Sequence, residues 1–290
     1  MMDHEIENII KGLTKQQRRH YQKALKLLRE GKMNLAFDLA FKIAAYLNYD
    51  FVQHLIDCAC GEGTYRIVSF WTQKDYQSRV DGRAVRLDFI GVDTKGKLIN
   101  IEIQMNHTNS IFKKSRLNQA YIDAFQLGQN TDTNQLQDVL ILSFVDRDIG
   151  KHNEASYTYS FSEEKYHDRP NVGVKYTIVN LRYEGRDSPL GKLIGDLKQT
   201  EESKMSSEVM VNALKYVKEG GDTMMVKAIK GGPEAVRRYL EDEARKKAVE
   251  ETKTEFVRNM HSSGKDPEEI AFLLQLPLDE VKKYLRADEA

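Results

Sequence analysis

The chain has 290 residues, 40% hydrophobic and 30% charged, with 44 Lys plus Arg against 44 Asp plus Glu. That balance excludes a globally basic nucleic-acid coat, so any polyanion site must come from local clustering, and the composition is globular and not disordered. The longest apolar run, Leu35 to Leu47, is interrupted by Asp38 and Lys42, which argues against a membrane span. The first residues lack the basic-then-apolar order of a secretory signal. Two cysteines, Cys58 and Cys60, argue for a reducing compartment, so a cytoplasmic protein is expected.

Three zones follow in chain order. Up to about Cys60 the pattern is helical: Ile6, Ile10, Leu13, Tyr21, Leu25 and Leu28 recur at three- and four-residue steps, with Gly31 as a stop. Between residues 11 and 32 eight Lys or Arg stand against Glu30 alone, a basic ridge able to grip phosphates or simply a solvated face. A second helix is expected from Asn34 as N-cap to Leu47, and a third after Asp50 to Gly61. His54, Cys58 and Cys60 lack a fourth zinc ligand at sensible spacing and read as packed side chains.

From about Thr64 the period changes to that of strands: Tyr65 to Trp71, Val85 to Val92, Leu98 to Gln104, Val139 to Val145, Tyr157 to Phe161 and Val174 to Val179. One helix interrupts them, capped by Asn109 or Ser110, with Leu117, Ala120, Tyr121, Ala124 and Leu127 as its apolar stripe. From Pro189 onward the pattern is helical again, broken at Gly220-Gly221 and at Gly231-Gly232. A long charged helix follows from Pro233 to His261. Asp266-Pro267-Glu268-Glu269 then marks a helix start, leading into two short helices that resemble a helix-turn-helix fragment. The expected organisation is a helical segment with the basic ridge (1–49), a central α/β domain (50–200) and a helical region (201–290).

The chemistry concentrates in the hairpin from Arg86 to Gln104. Gly96 suits the left-handed position that closes a Thr94-Lys95-Gly96 loop. That register sets Asp93 opposite Lys97 and therefore Asp88 opposite Glu102. Strand alternation then puts Asp88, Glu102 and Gln104 on one face. Two opposed carboxylates repel unless a cation sits between them, and their oxygen donors suit Mg²⁺ or Mn²⁺. The same spacing also fits a solvated face with salt bridges to Arg86 or Lys97.

Asp81-Gly82-Arg83-Ala84-Val85-Arg86-Leu87-Asp88, followed by Gly96-Lys97-Leu98-Ile99-Asn100-Ile101-Glu102-Ile103-Gln104, resembles the PD-(D/E)XK nuclease superfamily. Within it, the chain is similar to the Rpn branch of recombination-promoting nucleases and transposases. Arg116, Ile122 and Asp123 match that branch's following helix, and the likeness runs over roughly residues 50–220. The resemblance implies a mixed-sheet α/β nuclease core and a Mg²⁺-dependent DNA endonuclease linked to recombination or transposition. Asp88 and Glu102 would be its metal ligands and catalytic acids, and Gln104 would orient the water, standing where the superfamily's lysine usually is. Arg116, on one helical stripe with Gln119, either touches substrate together with Gln119 or pairs with Asp123 or Glu102. The first-helix acid is left between Asp50, Asp57 and Glu62. DNA is the expected partner, a homo-oligomer is allowed, and a nuclease fold that binds DNA without cutting it is the rival reading.

Overall fold

A computed structural model describes residues 10–76, 85–105, 110–127, 132–274 and 276–286. The chain divides into two compact units, up to Val236 and from Arg237 onward. The first unit contains α1 (Lys15–Arg29), α2 (Asp38–Leu47), α3 (Tyr49–Cys60), β1 (Ile67–Tyr76), β2 (Val85–Asp93), β3 (Leu98–Gln104), α4 (Ile111–Gln126), β4 (Val139–Val145), β5 (Ser156–Tyr159), β6 (Val174–Asn180), α5 (Pro189–Lys198) and α6 (Glu208–Glu219). This is the expected α/β class, a mixed sheet flanked by helices.

The six strands run in the order β1-β2-β3-β4-β6-β5. The pairs β1–β2, β2–β3 and β5–β6 are antiparallel, whereas β3–β4 and β4–β6 are parallel. β4 (VLILSFV) is central, and all seven of its residues are buried. A parallel strand covered on both faces has no solvent side to decorate, and so reads as a continuous apolar run.

The two covers can be told apart from β4. Ile141 packs with Ile122 of α4, while the Phe144 ring meets Phe41 of α2 at 5.7 Å. Positions three apart on a strand point to opposite sides, so α4 covers one face of the sheet and α2 the other. Phe51 of α3 joins the α2 side, its ring 5.6 Å from Phe41.

Local chemistry fixes where the helices begin. Thr14 and Gln17 form a reciprocal capping box at α1. Asn34 accepts the Phe37 N–H in the turn before α2, so that helix starts at Asp38 and not directly after Asn34. Asn48, ahead of the expected Asp50, caps α3 through the Phe51 N–H.

Two sequence expectations are corrected. The stripe Leu117, Ala120, Tyr121, Ala124, Leu127 is not the buried side of α4; the buried residues are Ile111, Ser115, Asn118 and Ile122, and Leu117 is 48% exposed. The reason is polar: β3 presents buried Asn100 and Glu102 toward α4, and the helix turns its hydrogen-bonding residues to meet them. Nor do Gly231-Gly232 break the chain, because α7 (Gly221–Ser262) is one helix of 42 residues. Pro233 lacks an N–H and leaves the Ile229 carbonyl without its helical donor. The Gln17 side-chain amide of α1 supplies that donor at 3.3 Å.

In the second unit, Val257 of α7, Ile270 of α8 (Pro267–Leu274), and Val281 and Tyr284 of α9 (Leu278–Arg286) form their own apolar cluster. Asp266 caps α8 as expected, accepting the Glu269 N–H at 2.8 Å. No helix among the described residues is long and apolar enough to cross a membrane.

Candidate active site

The hairpin closes as its sequence predicts. Gly96 has φ +80°. The Asp93 carboxylate accepts the Lys95 and Lys97 N–H groups at 2.8 Å each. The Asp93 N–H in turn donates to the Lys97 carbonyl. The ladder then runs Val92↔Leu98, Gly91↔Ile99, Ile90↔Asn100 and Phe89↔Ile101. One further step in this register puts Asp88 beside Glu102. There the backbone ladder gives way: the Asp88 N–H donates to Glu102 Oε1 at 3.2 Å. Both residues are buried, Asp88 9% and Glu102 1% exposed.

Each carboxylate meets a lysine. Lys42 of α2 places Nζ 3.1 Å from Asp88 Oδ1 and 3.0 Å from Asp38 Oδ1. Lys114 of α4 donates to Glu102 Oε2 at 2.6 Å. Lys42 comes from α2 and Lys114 from α4, the helices that cover opposite faces of the sheet. Glu102 Oε1 also accepts from Asn100 Nδ2 at 3.3 Å. Asn100 Oδ1 in turn accepts from Asn118 Nδ2 of α4 at 3.1 Å. The buried polar atoms of β3 are thus tied into one network.

Charge is unevenly settled here. Burial first, and then the neighbouring Asp88, push the Glu102 carboxyl up to about 7, with Lys114 pulling against them. Burial works against the charge on Lys42, but Asp88 and Asp38 outweigh it and hold its ammonium above the usual range. Lys114 is likewise raised by Glu102 and Asp88 against burial. Both lysines are therefore fixed cations and neither serves as a base at neutral pH.

Of the other expected site residues, Gln104 ends β3 and borders a cavity of about 520 Å³. The cavity is lined by Gln16, Arg19, His20 and Lys23 of α1, by Phe37 and Asp38, by Ile103, Gln104 and Met105, and by Lys114. Arg116 is exposed on α4, and Gln119 hydrogen-bonds Asp123 and the Tyr176 hydroxyl; neither lines that cavity. Asp57 accepts from Gln53 within α3, and Gln53 also donates to the Tyr65 carbonyl ahead of β1, while Asp50 and Glu62 are exposed. The acid that joins the cluster from the helical layer is Asp38, which none of those three candidates anticipated.

The expected salt-bridge partners also differ, since Lys97 pairs with Asp138 at 2.9 Å. The Arg86 side chain and residues 81–84 of the Asp-Gly-Arg start lie outside the described residues. Lys42 and Lys114 were missed. The signal for Lys42 was available: a lysine inside the apolar Leu35–Leu47 run needs a buried counter-charge.

Residues 32–185 match the family model described as PD-(D/E)XK nuclease family transposase. The chain belongs to that family. No curated protein and no solved structure matches it. The matched stretch of this PD-(D/E)XK family member takes in Asp38, Lys42, Asp88, Glu102, Gln104 and Lys114, and it begins after α1.

The donor chemistry of this acidic cluster suits a hard divalent cation. Asp38, Asp88 and Glu102 offer only oxygen ligands, and two lysines, Lys42 and Lys114, face them. Asp88 adds to the upward push that burial exerts on Glu102. Among the described residues, no three His, Cys, Asp or Glu side chains converge closely enough to form a ready-made ligand cluster. Lys42 and Lys114 hold the positive charge that a cation at Asp88 and Glu102 would take over.

Proposed function

We propose that this chain is a divalent-metal-dependent DNA endonuclease that hydrolyses phosphodiester bonds in recombination or transposition. One observation carries the reading: two acids from adjacent strands, Asp88 and Glu102, lie side by side and buried, next to a cavity lined by cations. Asp88 and Glu102 would hold Mg²⁺ or Mn²⁺, which when bound polarises a phosphoryl oxygen and acidifies a water. Family membership supports a nuclease or transposase-like role, and DNA follows as the substrate.

The chain's own residues divide the remaining work. Lys114 supplies a permanent positive charge beside Glu102, offsetting the amide at Gln104 where the superfamily has a lysine. Gln104 borders the cavity and can orient a water by hydrogen bonding, but an amide does not take its proton. Lys42 bridges Asp88 and Asp38 and so fixes the position of the Asp88 carboxylate. Arg116, exposed on α4, is available to a bound strand. Gln119 would touch substrate only by leaving Asp123 or Tyr176.

A second reading has one observation in its favour. Asp88 and Glu102 already carry ammonium partners, as they would in a nuclease fold that holds DNA without cutting it. Supercoiled plasmid incubated with the full chain and Mg²⁺ or Mn²⁺ decides between them. The nuclease reading expects nicking that EDTA stops and that Asp88→Ala abolishes. Nicking by Asp88→Ala at the wild-type rate would remove this site from the reaction.

A further inference from the structure

The basic ridge in the sequence and the cavity beside the paired acids are one feature. Gln16, Arg19, His20 and Lys23 recur at steps of three, one and three, which puts them on one face of α1, and all four line the cavity that Asp38, Gln104 and Lys114 close from the other side. α1 contains no acidic residue from Lys15 to Arg29. Arg19 and Lys23 are both exposed. Among the described residues, the one acid lining the cavity is Asp38, which is bound to Lys42. The wall is therefore cationic on the side that α1 contributes.

The wall is also held in place. Tyr21 and Ala24 are buried on the neighbouring side of α1, its first turn is fixed by the Thr14–Gln17 capping box, and Gln17 reaches across to the Ile229 carbonyl. Phe37 serves as a platform, with the His20 ring edge-on at 5.3 Å and Lys23 Nζ 5.5 Å from the ring centroid. Burial holds the His20 pKa below its ordinary value, so at neutral pH its ring offers a hydrogen bond and the charge comes from Arg19 and Lys23.

We propose that Arg19 and Lys23, with Gln16 beside them, form a backbone-phosphate subsite that seats the DNA strand next to Asp88 and Glu102. This rests on the nuclease reading for what happens at the acids, but the grip itself does not need cleavage. A planar guanidinium and an ammonium on successive turns suit the sugar–phosphate backbone, which offers an anion at each nucleotide, and they read no base. α1 lies outside residues 32–185, so this chain adds the subsite to the matched nuclease core.

The test uses the full chain and a short fluorescent DNA duplex in EDTA, where binding is read by anisotropy without turnover. Arg19→Ala/Lys23→Ala should weaken binding about tenfold and lower the slope of log Kd against log salt by about two, one per lost phosphate contact. Arg19→Lys/Lys23→Arg should restore most of it. Lys192→Ala/Lys215→Ala, which removes the same charge from exposed positions, controls for net charge, and equal melting temperatures control for folding. If the α1 pair loses no more affinity than that control, the subsite is overturned. The same variants are then assayed for nicking with Mg²⁺. Nicking by wild type with no effect of the α1 pair on binding sinks the subsite alone. An α1-dependent grip without any nicking keeps the subsite and sinks the nuclease reading.

Discussion

The Asp88 N–H donates to the Glu102 carboxylate at 3.2 Å, one step beyond the last backbone pair between β2 and β3. The strand pair thus exchanges a ladder bond for a side-chain acceptor at the point where two acids must coexist. A carboxylate that accepts a backbone N–H and a lysine can stay buried beside a second acid. This junction concentrates the consequences that follow.

Replacing Asp88 removes a proposed metal ligand and frees Lys42 to stay with Asp38 alone. Asp88→Asn should keep the fold and lower Mg²⁺-dependent nicking by about a hundredfold or more. Initial rates on supercoiled plasmid, with thermal melting as the folding control, give the comparison. A loss below about threefold would leave the acid without a role in the reaction.

Glu102 sets a pH dependence. Its carboxyl is raised from 4.5 to about 7 in the folded chain, so between these values the native state holds a proton that the unfolded state releases. Stability without metal should fall as pH rises through that window and level off above it. His20 and His54, whose buried rings lie below their ordinary pKa, act with the opposite sign in the acid range. The informative quantity is therefore wild type minus Glu102→Gln. In EDTA, that difference in melting temperature should shift toward the variant between about pH 4.5 and pH 7 and change little above. No change with pH would mean that Glu102 titrates as an ordinary carboxyl.

Lys114 is the partner of an almost fully buried acid while itself 34% exposed. Lys114→Met should destabilise the chain by about 1–3 kcal/mol, less than for a fully buried pair because water screens the ammonium. Adding Glu102→Gln to it should recover most of the loss, since no buried charge is then left alone. Chemical denaturation of the two single variants and the double variant measures the coupling.

The bond from Gln17 to the Ile229 carbonyl answers the missing N–H of Pro233. Gln17→Ala should cost about 1 kcal/mol, from this bond and from the capping box it completes. In a Pro233→Ala background the helix can make its own bond, and the same substitution should cost measurably less. Equal costs in both backgrounds would separate Gln17 from the proline.

Much of the site's local frame was written in the sequence. The Thr94-Lys95-Gly96 loop and the alternating pattern of Val85–Asp93 and Leu98–Gln104 set a register that the ladder follows from Asp93 to Phe89, because hairpin register depends on the turn and on period-two burial, both local. The boundaries of β3 and β4 are likewise legible from their apolar runs. The amphipathic stripe of α4 misled, because polar Asn118 and Lys114 look like surface residues until the buried Asn100 and Glu102 they bond are known.

What the sequence determined by itself was the hairpin, the order of the strands along the chain and the family signature around Asp88 and Glu102. Only the tertiary structure decided which cations meet those acids. Lys42 and Asp38 lie about fifty residues before their partner Asp88 and on a different element, and Arg19 and Lys23 lie earlier still. Such pairings depend on which faces the helices turn to the sheet, and that choice is made by the whole buried core and not by local spacing.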